Sequence, residues 1–343
     1  MPEGDAIRRL AGTLDELFVG GTVSASSPQG RFASSAARLD GWVVQRVRVH
    51  GKHMFIGFVP PVPGRSYEAG VALLEGAAAG SGEPVLGEGE PWPDQWVHIH
   101  LGLYGWWRFN GDETVVDEGH GVAHRIPNVP KGQWNGHSET RWGDGFGEAR
   151  AGEWEPPEPV GAVRLRLFHA VADLVGPNRC ELISDQERAA AEARLGPDPL
   201  DAGARADAEA AERFAQVAHS KRRAIGEIVM DQSIIAGVGN IYRADALFLA
   251  GISPHRKGAN ISLKRLRGLW VLICDLMNRG LAAGRLDTMD PDEAPDPPIE
   301  GDEEASRWYV YHRTGRPCLR CGTPIREALM QNRRLFWCPG CQK

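Results

Sequence analysis

The sequence predicts an α+β protein of several domains: an N-terminal helix with an antiparallel β-sandwich, a helical domain, and a small ribbon with four cysteines. Apolar residues recur at helical spacing over residues 5–18, and short runs of strand type follow. From about residue 185 the apolar pattern is helical again. Near the end of the chain, two Cys-x2-Cys pairs are separated by 16 residues. That spacing is typical of a structural metal site.

Composition places the chain among soluble globular proteins. Its 343 residues are enough for two or three domains, and 42% are hydrophobic and 24% charged. We find neither a signal peptide nor an apolar run long enough to span a membrane, so we expect a cytoplasmic protein. Of the six cysteines, four fit the metal pattern and Cys180 and Cys274 remain unpaired, which favours a reducing compartment.

Charge is distributed unevenly along the chain. The net charge is −6, which by itself argues against a nucleic-acid partner. Residues 306–343, however, contain eight Lys or Arg and one acid. A basic segment beside acidic ones is compatible with DNA binding.

The first residues, Met1-Pro2-Glu3, suggest a chemical function. Removal of Met1 would leave Pro2 with a secondary amine, which titrates near ~8 and is partly neutral at pH 7. Such an amine can attack an aldehyde carbon and form an iminium. We expect the helix over residues 5–18, with Asp5 as its N-cap, to fix the position of this amine. Glu3 lies beside it as a candidate general acid and base.

The region after the first helix reads as an antiparallel sandwich in an N-terminal domain of residues 1–183. Insertions at 60–94 and 110–158 are rich in Gly, Pro and acidic residues. We interpret both as surface loops that are partly disordered. The predicted strands cover residues 42–49, 54–59, 96–101, 105–109 and 162–168.

A helical domain is predicted over residues 184–286, followed by an acidic linker at 287–305 and the ribbon at 306–343. Within the helical domain, a helix should end at Gly237 and a new one begin at Asn240, which is a good N-cap. Backbone N–H groups at such a helix start bind phosphate. The predicted helices cover residues 185–195, 214–218, 225–230, 241–249 and 263–281.

The four ribbon cysteines are expected to hold one structural Zn²⁺ ion and so form a zinc ribbon, with iron or no metal as the alternatives. Four protein ligands leave no open position for a catalytic water. Between the two pairs, residues 326–337 read as a β-hairpin with Asn332, Arg333 and Arg334 at its tip, where phosphate contact by the arginines is expected. The ligands are Cys318, Cys321, Cys338 and Cys341.

A second motif is the turn His100-Leu101-Gly102-Leu103-Tyr104. His98 and His100 lie two residues apart, but no acidic ligand is nearby, so a metal site there is disfavoured. Leu103 and Tyr104 lie between glycines, which favours their exposure. Exposed apolar side chains fill the gap left when a base is flipped out of duplex DNA; the alternative is that they are core residues at a strand end.

Together these motifs resemble the Fpg/Nei family of DNA glycosylases. The resemblance rests on Pro-Glu-Gly-Asp-x-Ile-Arg-Arg at the start, Gly-Val-Gly-Asn at 237–240, and Cys-Pro-x-Cys-Gln at the end. It spans the chain apart from insertions at 60–94, 110–158 and 287–304. The tract 24–32, the turn at 100–105 and residues 309–343 look most like the endonuclease VIII branch, in its actinobacterial second type. The resemblance identifies the helical domain as a helix-two-turn-helix domain.

What the resemblance implies is a bifunctional DNA glycosylase and AP lyase of base-excision repair. It would act as a monomer on DNA with oxidised bases or abasic sites in the bacterial nucleoid. Two alternatives stay open: an Fpg-like enzyme for oxidised purines such as 8-oxoguanine, and a non-catalytic protein that binds damaged DNA. The chain departs from the branch at Gly102, where Gln is usual, and at Ala6, where Glu or Thr is common. The implied catalytic residues are Pro2, Glu3, Lys52 and Arg333, and the implied DNA-binding residues are Asn240, Leu103, Tyr104, Tyr242 and Arg334.

Overall fold

A computed structural model describes residues 2–61, 92–115, 140–142, 147 and 149–343. Most of the predicted insertions at 60–94 and 110–158 lies outside the described residues, as does Met1. The chain forms two compact units. Residues 1–2 and 6–193 belong to the first, and residues 3–5 and 194–343 to the second.

The predicted N-terminal helix belongs to the first unit from Ala6 onward. Helix α1 spans Gly4–Phe18, so Asp5 lies within its first turn and is not its N-cap. Its apolar side chains join those of both sheets in one buried core. This core is what two layers of amphipathic elements require for stability.

Two sheets form the predicted sandwich, in the strand orders β1-β7-β8-β5-β6 and β2-β3-β4-β9. Their pairings are antiparallel except that β5 and β6 are parallel. Strand β6 falls inside the segment that we expected to be a loop. The elements are β1 Ser24–Ser26, α2 Ala33–Leu39, β2 Val43–His50, β3 His53–Val59, β4 Gln95–His100, β5 Trp106–Gly111, β6 Thr140–Trp142, β7 Val163–Arg166, β8 Ala170–Val175 and β9 Arg179–Ser184.

Helix α3, Asp185–Glu192, closes the first unit. Ser184 and Glu187 form a reciprocal capping box at its start. Arg188 is 2.7 Å from Asp185 and 2.6 Å from Glu192. The predicted domain boundary at residue 183 therefore falls ten residues before the boundary between the units, because α3 packs on β4 and β9.

The second unit contains the helical domain and the ribbon. Its first core is built around helix α7, Leu263–Ala282, whose Trp270 is fully buried and donates to the Ala204 carbonyl at 3.0 Å. Helix α6 begins at Asn240, but its N-cap is Gly239 rather than the predicted Asn240. The helices are α4 Ala208–Ser220, α5 Ile225–Ile228, α6 Asn240–Leu249 and α7 Leu263–Ala282.

The predicted acidic linker is an ordered part of this second unit. Asp302 and Arg313 form a buried ion pair at 2.8 Å. The fully buried carboxylate of Asp245, in α6, accepts from the backbone N–H groups of Tyr309 at 2.8 Å and Val310 at 3.0 Å. The residues that follow the linker are thus attached to α6.

The ribbon ends in an antiparallel hairpin of β10, Arg326–Met330, and β11, Arg333–Trp337. Gln331 and Asn332 both have positive φ, as a two-residue type I′ turn requires. The hairpin prediction is confirmed, but the turn consists of Gln331 and Asn332, so Arg333 and Arg334 begin strand β11 and do not form the predicted tip. Among the helices of the described ranges, none is long and apolar enough to cross a membrane.

Candidate functional site

The first unit holds Pro2 and Lys52. Pro2 is buried. Lys52 follows Gly51 in the two-residue turn between β2 and β3, and Gly51 has a φ of 59°. A glycine with positive φ at the first position of such a turn is typical of a type II′ hairpin. The turn holds Lys52 with only 8% of its surface exposed, and lysines are rarely buried to this extent without a partner or a function.

Beside this turn, three histidines lie on one face of the sheet. His53 Nδ1 is 2.8 Å from His98 Nε2, and His98 Nδ1 is 3.5 Å from the Arg179 guanidinium. Burial, reinforced by the neighbouring histidines and Arg179, lowers the pKa of His53 to about 3. Burial and then the charges of Lys52 and Arg179 lower the pKa of His100. His53 and His100 are therefore neutral at pH 7.

The turn after β4 presents the predicted apolar pair. Leu103 is 55% and Tyr104 83% exposed, which excludes their alternative role as core residues. The turn is fixed by the Gly102 N–H, which donates to His100 Nδ1 at 3.1 Å. Gly102 has a φ of 69°, and a Cβ there would lie 2.7 Å from Asn178 Cβ. The glycine that departs from the family pattern is thus required by close packing against Asn178.

In the second unit, the carboxylate of Glu3 is bound by the start of α6. Its Oε2 accepts from the Gly239 N–H at 2.7 Å and its Oε1 from the Ile241 N–H at 2.8 Å. The Tyr242 N–H lies 3.4 Å from Oε2. These N–H groups have no partner within a helix, and a carboxylate is favoured at this end of the helix dipole. Glu3, 238 residues before Ile241, therefore satisfies the helix start and is held as an anion.

This arrangement depends on the absence of a side chain at Gly239. A Cβ at that position would lie 2.6 Å from Glu3 Cγ and from Glu3 Oε1. Carbon atoms in contact normally lie about 3.5–4.0 Å apart. Gly239 thus allows the carboxylate to reach the backbone of the helix.

In the first turn of α6, Asn240 and Arg243 bind the ribbon hairpin. Asn240 Nδ2 donates to the Arg334 carbonyl at 2.9 Å, and Arg243 Nη2 donates to the same carbonyl at 3.0 Å. Arg243 Nη2 also donates to Asn240 Oδ1. The predicted phosphate ligand Asn240 thus has its amide oriented by two partners inside the protein.

The other predicted DNA-binding residues of this unit differ in their surroundings. Arg333 is partly exposed. The Arg334 guanidinium instead makes two bonds to Glu327, at 2.6 and 2.8 Å. The side chain of Tyr242 is fully buried in the helical core, so in this structure only its backbone faces the site.

The four ribbon cysteines converge as the spacing predicts. The Sγ atoms of Cys318, Cys321, Cys338 and Cys341 all lie within 4.8 Å of one another. The separations Cys318–Cys341 and Cys321–Cys338 are 3.8 and 3.4 Å. Four thiolates around one tetrahedral Zn²⁺ ion lie about 3.8 Å apart, given a bond length of about 2.3 Å. The donor set and its spacing therefore fit a metal ion.

Sequence reasoning quoted Gly239 within the Gly-Val-Gly-Asn motif but assigned it no role, and it missed Arg243 and the pair His53–His98. Arg243 was detectable in principle, because an arginine among the apolar residues of 241–249 must be either exposed or bound. The role of Gly239 was not, since it depends on a contact with Glu3, 236 residues away.

Comparison with known proteins agrees with the motifs. Residues 195–291 match the family model described as the formamidopyrimidine-DNA glycosylase H2TH domain. The chain is 36% identical to a protein of Mycobacterium tuberculosis named Endonuclease 8 1, over the full length of both chains. That relative carries the number 1, whereas the sequence suggested a second type. A formamidopyrimidine-DNA glycosylase of Xanthomonas oryzae pv. oryzae is 34% identical over 154 residues, 44% of this chain and 53% of that protein.

Solved structures show the same fold. MutM in complex with DNA containing carbocyclic 8-oxo-G matches with a TM-score of 0.63 at 17% identity, over 100% of both chains. The Fpg of Lactococcus lactis in complex with DNA containing an abasic site matches with a TM-score of 0.62 at 16% identity, over 99% of both chains.

Proposed function

The chain belongs to the Fpg/Nei family, in its endonuclease VIII branch, and we propose that it is a bifunctional DNA glycosylase and AP lyase of base-excision repair. The observation that carries this proposal is the binding of Glu3 by the N-terminus of α6. These hydrogen bonds hold Glu3, which directly follows Pro2 in the sequence, at the start of a helix of the helix-two-turn-helix domain. Full-length similarity to Endonuclease 8 1 supports the same reading.

The proposed nucleophile is the Pro2 nitrogen, which is freed when Met1 is removed. Its lone pair attacks C1′ of the damaged nucleotide, and the bond from C1′ to the base breaks as the base takes up a proton. The nitrogen then loses its proton while the sugar ring opens and O4′ takes up a proton. The product is an iminium cation that joins Pro2 to C1′, and this cation makes the C2′ proton acidic.

Two eliminations then cut the strand. Loss of the C2′ proton forms the C2′=C3′ double bond and expels the 3′ phosphate. Loss of the C4′ proton forms the C4′=C5′ double bond and expels the 5′ phosphate. Water finally hydrolyses the iminium and regenerates Pro2.

We assign the proton transfers to Glu3 and Lys52. Since Glu3 is held as a carboxylate, it suits acceptance of protons from C2′ and C4′ and electrostatic stabilisation of the cationic iminium. Lys52, which lies beside neutral histidines, suits donation of a proton to the leaving base because an ammonium group, unlike a guanidinium, can release a proton. Arg333 would stabilise the expelled phosphate.

DNA would be held by phosphate contacts and by insertion of side chains. The exposed Leu103 and Tyr104 suit the gap left by a flipped nucleotide. Asn240 and Arg334 are the proposed phosphate ligands. The Arg334 guanidinium would have to leave Glu327 in order to bind a DNA phosphate. Tyr242 would support the start of α6 from the core. The ion of the ribbon is proposed to be one structural Zn²⁺, and the enzyme to act as a monomer on nucleoid DNA in the cytoplasm.

The test is strand scission on matched duplexes containing one oxidised pyrimidine, one 8-oxoguanine, or one abasic site. We expect scission at the abasic site and at the oxidised pyrimidine. Faster scission at 8-oxoguanine than at the pyrimidine would instead establish the Fpg-like alternative. Binding to all three duplexes without scission, by protein with Met1 removed, would establish the non-catalytic alternative.

A further inference from the structure

Arg243 is a buried cation that the proposed mechanism does not use. It is 1% exposed. Its Nε and Nη1 atoms have no hydrogen-bond partner among the described residues. Burial of a charge without a full set of partners destabilises the folded state, so stability alone does not explain an arginine here.

The partners that Arg243 does have lie in α6 and in the hairpin. Its Nη2 binds Asn240 Oδ1 within α6 and the Arg334 carbonyl at 3.0 Å. The Asn240 amide donates to the same carbonyl at 2.9 Å. Two donors from one helix turn thus hold the backbone of β11 at the residue directly after Arg333.

Charge links the same groups. Burial first, and then the charge of Arg333, lower the pKa of Arg243 to about 10, while Glu3 acts in the opposite direction. Arg243 therefore stays protonated at neutral pH. Arg333, Arg243 and Glu3 lie close enough for their charges to interact.

We propose that Arg243 is a positioning residue for Arg333: by binding the Arg334 carbonyl together with Asn240, it fixes the Arg333 guanidinium for the second elimination. This inference rests on the proposed lyase function. A guanidinium must be aligned with a phosphate to stabilise it, and displacements of about 1 Å can cost roughly 10²-fold in rate. The first elimination, which depends on Pro2 and Glu3, should not require this alignment.

The experiment compares products on a 5′-labelled duplex with one abasic site. The first elimination leaves an unsaturated aldehyde on the labelled strand, and the second leaves a phosphate, so a gel separates them. Arg243→Met removes the hydrogen bonds to Asn240 and to the Arg334 carbonyl, and Arg243→Lys keeps the positive charge but loses the planar guanidinium. Arg333→Ala is the reference for a lost second elimination. Arg265→Met is the matched control, because Arg265 binds the Ala250 and Gly251 carbonyls at 3.2 and 3.0 Å beyond the other end of α6.

We expect both Arg243 variants to keep the total rate of scission within about threefold and to lower the fraction of phosphate product about tenfold. The double variant Arg243→Met, Arg333→Ala should give the same fraction of phosphate product as Arg333→Ala alone, because both changes remove the same effect. Arg265→Met should retain the wild-type fraction.

A wild-type fraction of phosphate product in Arg243→Lys would overturn the proposal, since a positive charge without the guanidinium geometry would then suffice to position Arg333. Should Arg243→Met fail to fold, judged by zinc content and thermal unfolding, the lysine variant decides alone. Failure of the proposed function looks different, because the wild-type enzyme would then give neither product.

Discussion

Replacement of Gly239 by Ala tests the binding of Glu3 by helix α6 most selectively. The added Cβ would lie 2.6 Å from Glu3 Cγ and Oε1, about 1 Å inside normal carbon contact. The three atoms nearest to it all belong to Glu3. The carboxylate must therefore move away from the Gly239 and Ile241 N–H groups, at present 2.7 and 2.8 Å away.

The size of the effect follows from these two bonds. Hydrogen bonds to charged groups contribute roughly 1.5–3 kcal/mol each. Loss of about 3 kcal/mol of transition-state stabilisation lowers a rate by roughly 10²-fold. We therefore expect single-turnover scission at an abasic site to slow by about that factor, with DNA affinity changed much less, because the clash affects Glu3 and not the predicted phosphate ligands.

Gly268→Ala is the matched control. Gly268 is exposed in α7, and a Cβ there meets nothing within 4 Å, so this change should leave the rate unaltered and stabilise the helix by up to about 1 kcal/mol. A wild-type scission rate in Gly239→Ala would refute the reasoning, since it would show that the position of Glu3 bound to α6 is not needed for the chemistry.

Three further predictions concern the other parts of the protein. Because the pKa of His53 is lowered to about 3, the folded state binds fewer protons than the unfolded state below about pH 6.5. The free energy of unfolding should therefore fall as pH drops from about 6.5 towards 3, by up to about 1.4 kcal/mol per pH unit. In His53→Gln, the free energy of unfolding measured with urea should fall less steeply with pH over this range. An equally steep fall would contradict the lowered pKa of His53. Leu103→Ala with Tyr104→Ala should slow lesion removal in duplex DNA but not in single strands, where no gap needs filling; equal slowing in both would contradict the insertion role. Cys338→Ser should lower zinc content and DNA affinity together, because metal binding and ribbon folding are coupled; full zinc with a normal affinity would contradict a four-thiolate site.

Local patterns sufficed for much of the fold. The periodicity of residues 5–18 predicted α1, and alternation predicted β2 to β5 to within two residues at each end. The two Cys-x2-Cys pairs predicted a cluster that the structure brings within 4.8 Å. These features succeed because side-chain spacing alone determines which face is buried or which atoms converge.

Contacts distant in sequence explain the failures. Asn240 has the residue type of an N-cap, yet the carboxylate of Glu3 supplies the acceptor from the other end of the chain, so Gly239 takes the cap position. The acidic linker reads as loop because its charges are numerous. Its Asp302, however, is buried against Arg313, and the spacing of apolar residues in the sequence does not predict such an ion pair.

The candidate site shows the same division. Motifs pointed to Pro2 and to the Leu103–Tyr104 turn, because each is a short signal of residue type and turn, whereas Lys52 was implied only by the family resemblance. Arg243 and the pair His53–His98 depend on partners in other strands or in the ribbon. Only the fold brings these partners together.

Borohydride trapping on an oligonucleotide with one abasic site tests the central claim most directly. Reduction converts an iminium into a stable covalent adduct, and peptide mass mapping then locates the modified residue. With Met1 removed, we predict one adduct, on the nitrogen of Pro2, and its loss in protein that retains Met1. An adduct on Lys52, or no adduct despite normal DNA binding by protein that begins at Pro2, would contradict this claim.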